Sequence, residues 1–221
     1  MMPTAHSVPS RPLALPNLLT YGRIAAVPAV VGAIYWQALL GGGLWLRWLA
    51  LVIFIVAGIT DFLDGYIARV WEQQSSFGRM LDPIADKLLV SSCLLMLAGE
   101  DTIRGWSLWA AIVILCREIL VSGLREYLAE LRVSVPVTQL ARWKTALQLV
   151  AVGFLIAGKA GDAVIPNVIV TIPTLWTMGV FIGSQTLGLV TFIGIALLWI
   201  SALLTLYTGW DYFRAGVKHL Q

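Results

Sequence analysis

Residues 45–68 read WLRWLALVIFIVAGITDFLDGYIA, a long apolar run that ends in two carboxylates, Asp61 and Asp64. About 20 consecutive apolar residues are enough to cross a hydrocarbon core of roughly 30 Å as an α-helix. An ionised side chain inside a bilayer is costly unless it is paired, hydrated or bound to a metal ion. The stretch therefore predicts a transmembrane helix with polar chemistry at one end.

Comparable apolar runs recur through the 221 residues, of which 59% are hydrophobic and 12% are charged. Soluble domains carry about 25% charged residues, so this composition indicates an integral membrane protein. We predict an all-α bundle of six transmembrane helices, formed as a single membrane domain by residues 1–221. The predicted spans are 24–41, 45–68, 80–99, 105–128, 144–160 and 186–209.

Three segments are expected to lie outside these spans. Residues 1–12 are predicted to be a flexible cytoplasmic tail, and residues 13–23, LALPNLLTYGR, a short interfacial helix. Residues 161–185 are apolar but contain Pro166 and Pro173, and proline disfavours the interior of a helix. We predict that this last segment is a long outer loop lying on the membrane surface.

The basic residues are distributed unevenly between the two predicted sides of the membrane. With a cytoplasmic N-terminus, twelve of the 15 Lys and Arg residues lie in or toward the cytoplasmic half, and Arg47, Arg104 and Lys159 lie opposite. This bias predicts cytoplasmic termini, and a bacterial inner membrane fits so compact a chain. A net charge of +3 with 10 Trp residues suits membrane lipids as partners, and no nucleic acid is expected.

Four aspartates flank the connection between the second and third predicted spans. Asp61 and Asp64 are three residues apart, and Asp82 and Asp86 are four apart, so each pair lies on one face of its helix. Two antiparallel helices could bring these faces together. Four carboxylates in one cleft suit hard cations such as Mg²⁺ or Mn²⁺, and two such ions about 4 Å apart promote displacement at phosphorus.

Small and basic residues accompany the aspartates. Gly65 and Ala68 leave a notch beside the carboxylates, Arg69 is placed to meet a phosphate, and Gly78 permits a close approach of the loop. A short fragment such as DxxDG could by itself be an ordinary helix end. The combination favours a site that binds a phosphorylated ligand.

The complete pattern resembles the signature of the CDP-alcohol phosphatidyltransferase family, and the resemblance extends over nearly the whole chain. The pattern reads Asp61-x2-Asp64-Gly65-x2-Ala68-Arg69-x8-Gly78-x3-Asp82-x3-Asp86. The resemblance implies a homodimeric six-span bundle with its active site open to the cytoplasm. It also implies that the four aspartates hold two divalent metal ions and that Asp86 is the general base for an acceptor hydroxyl.

The same resemblance implies which residues bind the nucleotide of a CDP-activated lipid. Asn17 and Thr20 would help to close that pocket, although either side chain could instead cap the predicted interfacial helix. The residues expected to line the cytidine and diphosphate site are Gly65, Ala68, Arg69, Ser75 and Gly78.

A second polar group lies in the fourth and fifth predicted spans. Arg117 and Arg125 are eight residues apart, about 80° around a helix, so both can face one cavity. With Arg142 and Lys144 they would suit an acceptor that carries its own phosphate. Arg125, Arg142 and Lys144 could alternatively anchor helix ends at the lipid headgroups, and Glu118 is interpreted as an ion-pair partner for one of the arginines.

The string from Arg117 to Glu126, REILVSGLRE, followed by Arg142-Trp-Lys144-Thr145, resembles the branch of the family that joins CDP-diacylglycerol to sn-glycerol 3-phosphate. That branch more commonly has Lys where Arg142 stands, which keeps the charge. Three alternatives are a sister transferase that uses inositol phosphate or serine, a cation transporter, and a catalytically silent scaffold, which the intact motif disfavours. A transporter is expected to bind its ion near the bilayer midplane, whereas these carboxylates cluster toward one interface.

Overall fold

The computed structural model describes residues 15–71, 76–130, 139–165, 169–175 and 182–217. The predicted tail, residues 1–12, lies outside these ranges. Within them the chain forms six helices and one two-stranded sheet. The helices are α1 (Leu15–Leu39), α2 (Trp45–Trp71), α3 (Ser76–Gly99), α4 (Ser107–Glu130), α5 (Gln139–Val164) and α6 (Leu189–Val217), and the strands are β1 (Ile169–Leu175) and β2 (Ile182–Gly188).

Four of the described helices are long and apolar enough to cross a membrane, so the chain is a multi-pass membrane protein. The four candidate spans are Leu18–Leu39, Ser107–Leu128, Trp143–Val164 and Leu189–Arg214. A shorter apolar helical stretch, Trp45–Thr60, forms the first part of α2. Crossing of the membrane by α2 and α3 therefore stays a prediction.

The predicted interfacial helix is not a separate element, and this expectation was wrong. Residues 15–23 form the first turns of α1, which continues without a break to Leu39. The chain has nothing at residues 23 and 24 that would end a helix, and Gly22 costs a helix only about 1 kcal/mol relative to alanine. Pro28 also lies inside α1, so even a proline is accommodated there.

Residues 161–185 contain regular structure in place of the predicted loop. α5 continues to Val164, and β1 then pairs antiparallel with β2. Pro173 lies in β1 opposite Ser184, a position that tolerates proline because both strands of a two-stranded ribbon are edges. The sequence IVTI at the start of β1 is rich in β-branched residues, which favour strands. The all-α prediction therefore holds for the bundle and misses this hairpin.

A carboxylate joins the two ends of the hairpin. Asp162, near the end of α5, accepts hydrogen bonds from the backbone N–H groups of Val190 and Thr191, at 2.8 and 3.3 Å. These are among the first N–H groups of α6, which have no partner within their own helix. Asp162 consequently caps α6 and fixes its start against α5.

Helix packing brings the site-bearing helices together. α1 packs on α2 and α3, α5 packs on α6 and α2, and α4 packs on α6. Cys93 and Leu94 of α3 and Leu155 and Ile156 of α5 are among the fully buried residues of the apolar core. Charged clusters lie on either side of this core along the bundle.

One of these, which we call the Glu100 cluster, consists of Arg47, Glu100 and Lys159. Glu100 accepts hydrogen bonds from Arg47 of α2 and, at 3.1 Å, from Lys159 of α5. The Arg47 and Glu100 side chains are both 0% exposed. Arg47 also donates to Gln37 of α1 at 2.7 Å, and Thr102 donates to Glu100 at 2.7 Å. The cluster therefore ties α1, α2 and α5 to the end of α3.

Candidate active site

The predicted aspartates lie on two successive helices. Asp61 and Asp64 are on α2, and Asp82 and Asp86 are on α3. The side chain of Asp86 is described, whereas convergence of the other three on it stays a prediction. Other predicted site residues whose side chains lie outside the description are Asn17, Gly65, Ala68, Arg69, Gly78 and Arg142, and Ser75 lies outside the described residues altogether.

Asp86 is half-buried and lines a cavity of about 30 Å³ between α3, α4 and α5. The cavity is also lined by Ser91 of α3, Glu118 of α4, and Thr145 and Gln148 of α5. The predicted base therefore faces the two helices that carry the predicted acceptor residues.

A second charged group, which we call the Glu118 cluster, consists of Arg117, Glu118 and Lys144. Glu118 Oε1 accepts a hydrogen bond from Arg117 Nη1 at 3.3 Å and another from Lys144 Nζ. The side chains of Arg117, Glu118 and Lys144 are 11%, 23% and 5% exposed. The interpretation of Glu118 as an ion-pair partner is confirmed, and two cations around one carboxylate leave a net positive charge beside the Asp86 cavity.

Arg117 is held against α6 as well as by Glu118. Its Nε donates to the carbonyl oxygen of Thr205 at 3.0 Å, and its Nη2 donates to Thr208 Oγ1 at 2.9 Å. A Cβ atom on Gly209 would lie 3.0 Å from Arg117 Cγ and 3.1 Å from Nε. The glycine therefore makes room for the guanidinium. Within the described part of the chain, three of its five N–H groups donate hydrogen bonds, and the other two are proposed to meet a ligand.

The sequence did not predict this contribution of α6. Its signal is a stripe of hydroxyl side chains in an otherwise apolar helix, since Ser201, Thr205 and Thr208 are all buried on α6. Their spacing of four and three residues places them on one helix face. A polar stripe in a membrane helix commonly faces the bundle interior, so it could have indicated the partner of Arg117.

Arg125 also meets α6, where its Cζ atom lies 5.5 Å from the centroid of the Tyr212 ring. Both Arg117 and Arg125 thus contact α6 from one side of α4, whereas a cavity shared by the two residues stays a prediction. The Arg125 side chain is exposed, in contrast to Arg117. Binding of the acceptor phosphate by either residue stays a prediction.

The start of α1 contributes two buried polar residues. Thr20 and Arg23 are each 1% exposed, and α1 packs on the two helices that carry the aspartates. Because Thr20 lies well inside a helix that begins at Leu15, its alternative role as a helix cap is wrong. Arg23 lies three residues after Thr20 on the same helix face, and the sequence did not predict its burial.

A large apolar groove adjoins the Asp86 cavity. It has a volume of about 690 Å³, lies chiefly between α2 and α5, and is lined by side chains such as Phe54, Ile59 and Phe154. Leu149 lines both this groove and the Asp86 cavity. The polar cavity and a surface suited to hydrocarbon chains are therefore neighbours.

Comparison with known proteins identifies close similarity over most of the chain. A sequence model of the CDP-alcohol phosphatidyltransferase family matches residues 13–207. A protein of Cereibacter sphaeroides named CDP-diacylglycerol--glycerol-3-phosphate 3-phosphatidyltransferase is 39% identical over 221 residues, which cover 94% of this chain and 97% of the relative. A Rickettsia bellii protein of the same name is 41% identical, with coverages of 93% and 96%. An Arabidopsis thaliana protein named CDP-diacylglycerol--glycerol-3-phosphate 3-phosphatidyltransferase 2 is 39% identical over 169 residues, which cover 72% of this chain and 70% of the relative.

Proposed function

This chain belongs to the CDP-alcohol phosphatidyltransferase family, and from that premise we propose that it joins CDP-diacylglycerol to sn-glycerol 3-phosphate. The products are phosphatidylglycerol phosphate and CMP. The names of the bacterial relatives support this choice of acceptor. The observation that carries the proposal is the cavity that Asp86 shares with Glu118 of the Glu118 cluster.

In the proposed reaction, Asp86 accepts the proton of the 1-hydroxyl group of glycerol 3-phosphate. The hydroxyl oxygen forms a bond to the β-phosphorus of CDP-diacylglycerol, and the bond from that phosphorus to the bridging oxygen breaks. CMP leaves with the electron pair. A carboxylate can act as base only when the hydroxyl lies within about 3 Å of it, and the cavity that Asp86 lines between α3, α4 and α5 is the proposed place for this hydroxyl.

We propose that Asp61, Asp64, Asp82 and Asp86 hold two divalent metal ions, Mg²⁺ or Mn²⁺. A donor set made only of carboxylates fits a hard cation. When bound, such ions neutralise the charge of the diphosphate and of the departing CMP. The residues proposed to hold the nucleotide are Asn17, Thr20, Gly65, Ala68, Arg69, Ser75 and Gly78, and burial of Thr20 against the aspartate-bearing helices supports its place among them.

The acceptor phosphate is proposed to bind at Arg117, Arg125, Arg142 and Lys144. Support comes from the Glu118 cluster, which has one cation more than its carboxylate can neutralise and lies next to Asp86. Serine carries no phosphate and would not require this excess of positive charge. The acyl chains of the lipid substrate are proposed to occupy the apolar groove that continues from the cavity at Leu149.

The proposed setting is the inner membrane of a bacterium, with six spans and with the termini and the active site on the cytoplasmic side. The uneven distribution of basic residues supports this orientation. A homodimer is proposed from the family resemblance. Labelling of single introduced cysteines in sealed vesicles would test the orientation, and the mass of the protein in detergent would test the dimer.

The reaction is tested by supplying purified protein with labelled CDP-diacylglycerol, Mg²⁺ or Mn²⁺ and a panel of acceptors, and by measuring CMP release. Glycerol 3-phosphate should be used in preference to inositol phosphate and serine. Release with another acceptor alone would exclude the proposed substrate. An absence of release with every acceptor would refute the reaction class for this chain.

Asp86→Asn should lower turnover by about 10³-fold or more, because it removes the base, while CDP-diacylglycerol binding is partly retained. A matched control is Asp101→Asn, the same chemical change at an exposed turn beside Glu100. Asp101 has φ of 62°, a conformation that asparagine tolerates. Activity should survive in this control, and equal losses in both variants would remove Asp86 from its proposed role.

A further inference from the structure

Gln148 is a buried polar residue of the Asp86 cavity to which the proposed reaction gives no role. It lies on α5, is 5% exposed, and lines the cavity together with Asp86 and Glu118. Among the residues that the structure describes, its amide makes no hydrogen bond. Because the residue lines the cavity, its amide is available to a ligand group that can both donate and accept.

The position of Gln148 relative to Lys144 defines a direction along α5. The two residues are four apart and share a helix face, and Lys144 points to Glu118. Four residues rise about 6 Å along a helix, which is comparable to the length of a three-carbon acceptor. An acceptor whose phosphate meets the Glu118 cluster would therefore bring its hydroxyl groups to the level of Gln148.

We propose that Gln148 determines specificity for the acceptor by binding the 2-hydroxyl group of glycerol 3-phosphate, a role that rests on the proposed function. The amide oxygen accepts a hydrogen bond from that hydroxyl, or the amide nitrogen donates one to its oxygen. This contact holds the adjacent 1-hydroxyl group against Asp86. The phosphate of the same acceptor then lies beside the cations of the Glu118 cluster, whose carboxylate lines the cavity.

The experiment compares glycerol 3-phosphate with 3-hydroxypropyl phosphate, which lacks only the 2-hydroxyl group. The wild-type protein should prefer glycerol 3-phosphate in kcat/KM by about 10-fold or more, since a buried amide loses its partner with the analogue. Gln148→Met, of similar volume but unable to form these hydrogen bonds, should lower kcat/KM for glycerol 3-phosphate about 10-fold. It should leave kcat/KM for the analogue and KM for CDP-diacylglycerol unchanged.

Two further variants keep the test decisive if Gln148→Met does not fold. Gln148→Asn keeps the amide but withdraws it by one methylene group, and it should also reduce the preference. Ser91→Ala removes the hydroxyl that α3 contributes to the same cavity, and it should retain the preference. Loss of the preference in Ser91→Ala but not in the Gln148 variants would overturn the assignment.

The outcomes separate this inference from the proposed function. If the wild-type protein does not use glycerol 3-phosphate, the proposed function fails. If it does, but a Gln148 variant loses the same factor with both acceptors, the function stands and the role of Gln148 is refuted.

Discussion

The Glu100 and Glu118 clusters contain the same three kinds of charged side chain, one glutamate that accepts from one arginine and one lysine. They differ in how completely the glutamate is shielded from solvent, and we call the Glu100 cluster closed and the Glu118 cluster open. The Glu100 side chain is 0% exposed, whereas that of Glu118 is 23% exposed. Identical charges in one helical bundle thus occur once around a fully buried glutamate and once around a glutamate at the edge of a cavity.

Their hydrogen bonds differ in the same sense. Both carboxylate oxygens of Glu100 accept hydrogen bonds, and Arg47 also donates to Gln37 and to the carbonyl oxygen of Ile156. For Glu118, both described hydrogen bonds reach Oε1. A buried ionic group stabilises a fold only when its partners are complete. The comparison therefore assigns stability chiefly to the closed cluster and ligand binding to the open one.

The largest expected effect is the loss of stability when the closed cluster is broken. Glu100→Ala leaves Arg47 fully buried without its carboxylate, and removal of one partner from a buried pair costs about 3–5 kcal/mol. Glu118→Ala should cost about 1–2 kcal/mol, because its surroundings are partly open and Arg117 keeps its bonds to α6. Unfolding midpoints in detergent measure both losses, and equal losses would contradict the comparison.

Activity should show the opposite order. Glu118→Gln removes the charge that orients Arg117 and Lys144, and misplacement of a binding group by about 1 Å can cost roughly 100-fold in rate. We expect kcat/KM for glycerol 3-phosphate to fall by about that factor. Glu100→Gln, measured on the folded fraction, should stay within about 3-fold of wild type. A greater loss in Glu100→Gln would show that the closed cluster also serves catalysis.

A smaller effect on activity is expected when the contact between α6 and the Arg117 side chain is changed. In Gly209→Ala the new methyl group would lie 3.0 Å from Arg117 Cγ, so the guanidinium must shift. KM for glycerol 3-phosphate should rise about 10-fold, with less change in kcat, as measured by acceptor titration. Gly32→Ala is the matched control, because a Cβ atom there meets nothing within 4 Å. A similar rise in KM in Gly32→Ala would show that the contact between residue 209 and Arg117 does not determine acceptor binding.

The smallest effect is expected at the exposed end of the closed cluster. Lys159 is 44% exposed, and ion pairs open to solvent contribute about 0–1 kcal/mol. Lys159→Met should therefore change the unfolding midpoint little and leave CMP release unchanged. Lys144→Met, at a side chain 5% exposed, should lower activity with glycerol 3-phosphate. A greater loss of activity in Lys159→Met than in Lys144→Met would show that the exposure of the lysine does not predict its importance for catalysis.

Helix positions could be predicted from the sequence because apolar runs of bilayer length leave few alternatives. The predicted spans 45–68 and 105–128 correspond to α2 and α4 within a few residues. The start of α1 and the hairpin could not be predicted in the same way. Proline at positions 166 and 173 predicts only that a helix is interrupted, whereas pairing between two edge strands depends on contacts that sequence spacing does not describe.

Within the site, the sequence predicted the residues that share one helix and missed those supplied by distant ones. Helix periodicity places Arg117 and Arg125 on one side of α4, and the structure agrees. Thr208 lies 91 residues from Arg117, and no local pattern links the two. Gln148 was missed because one amide in an apolar run is not distinctive until its burial beside Asp86 is known.

The hydrogen bonds between Asp162 and the start of α6 close the chain at the base of the β1–β2 hairpin. Because α5 and α6 are joined directly at this carboxylate, the intervening residues need not transmit their relative position. Insertions at the tip of a closed loop add little entropic cost, about 0.6 kcal/mol for each doubling of length. The tip between β1 and β2 is therefore a suitable place to graft an affinity tag or a rigid fusion partner for imaging, without disturbing the bundle beneath it.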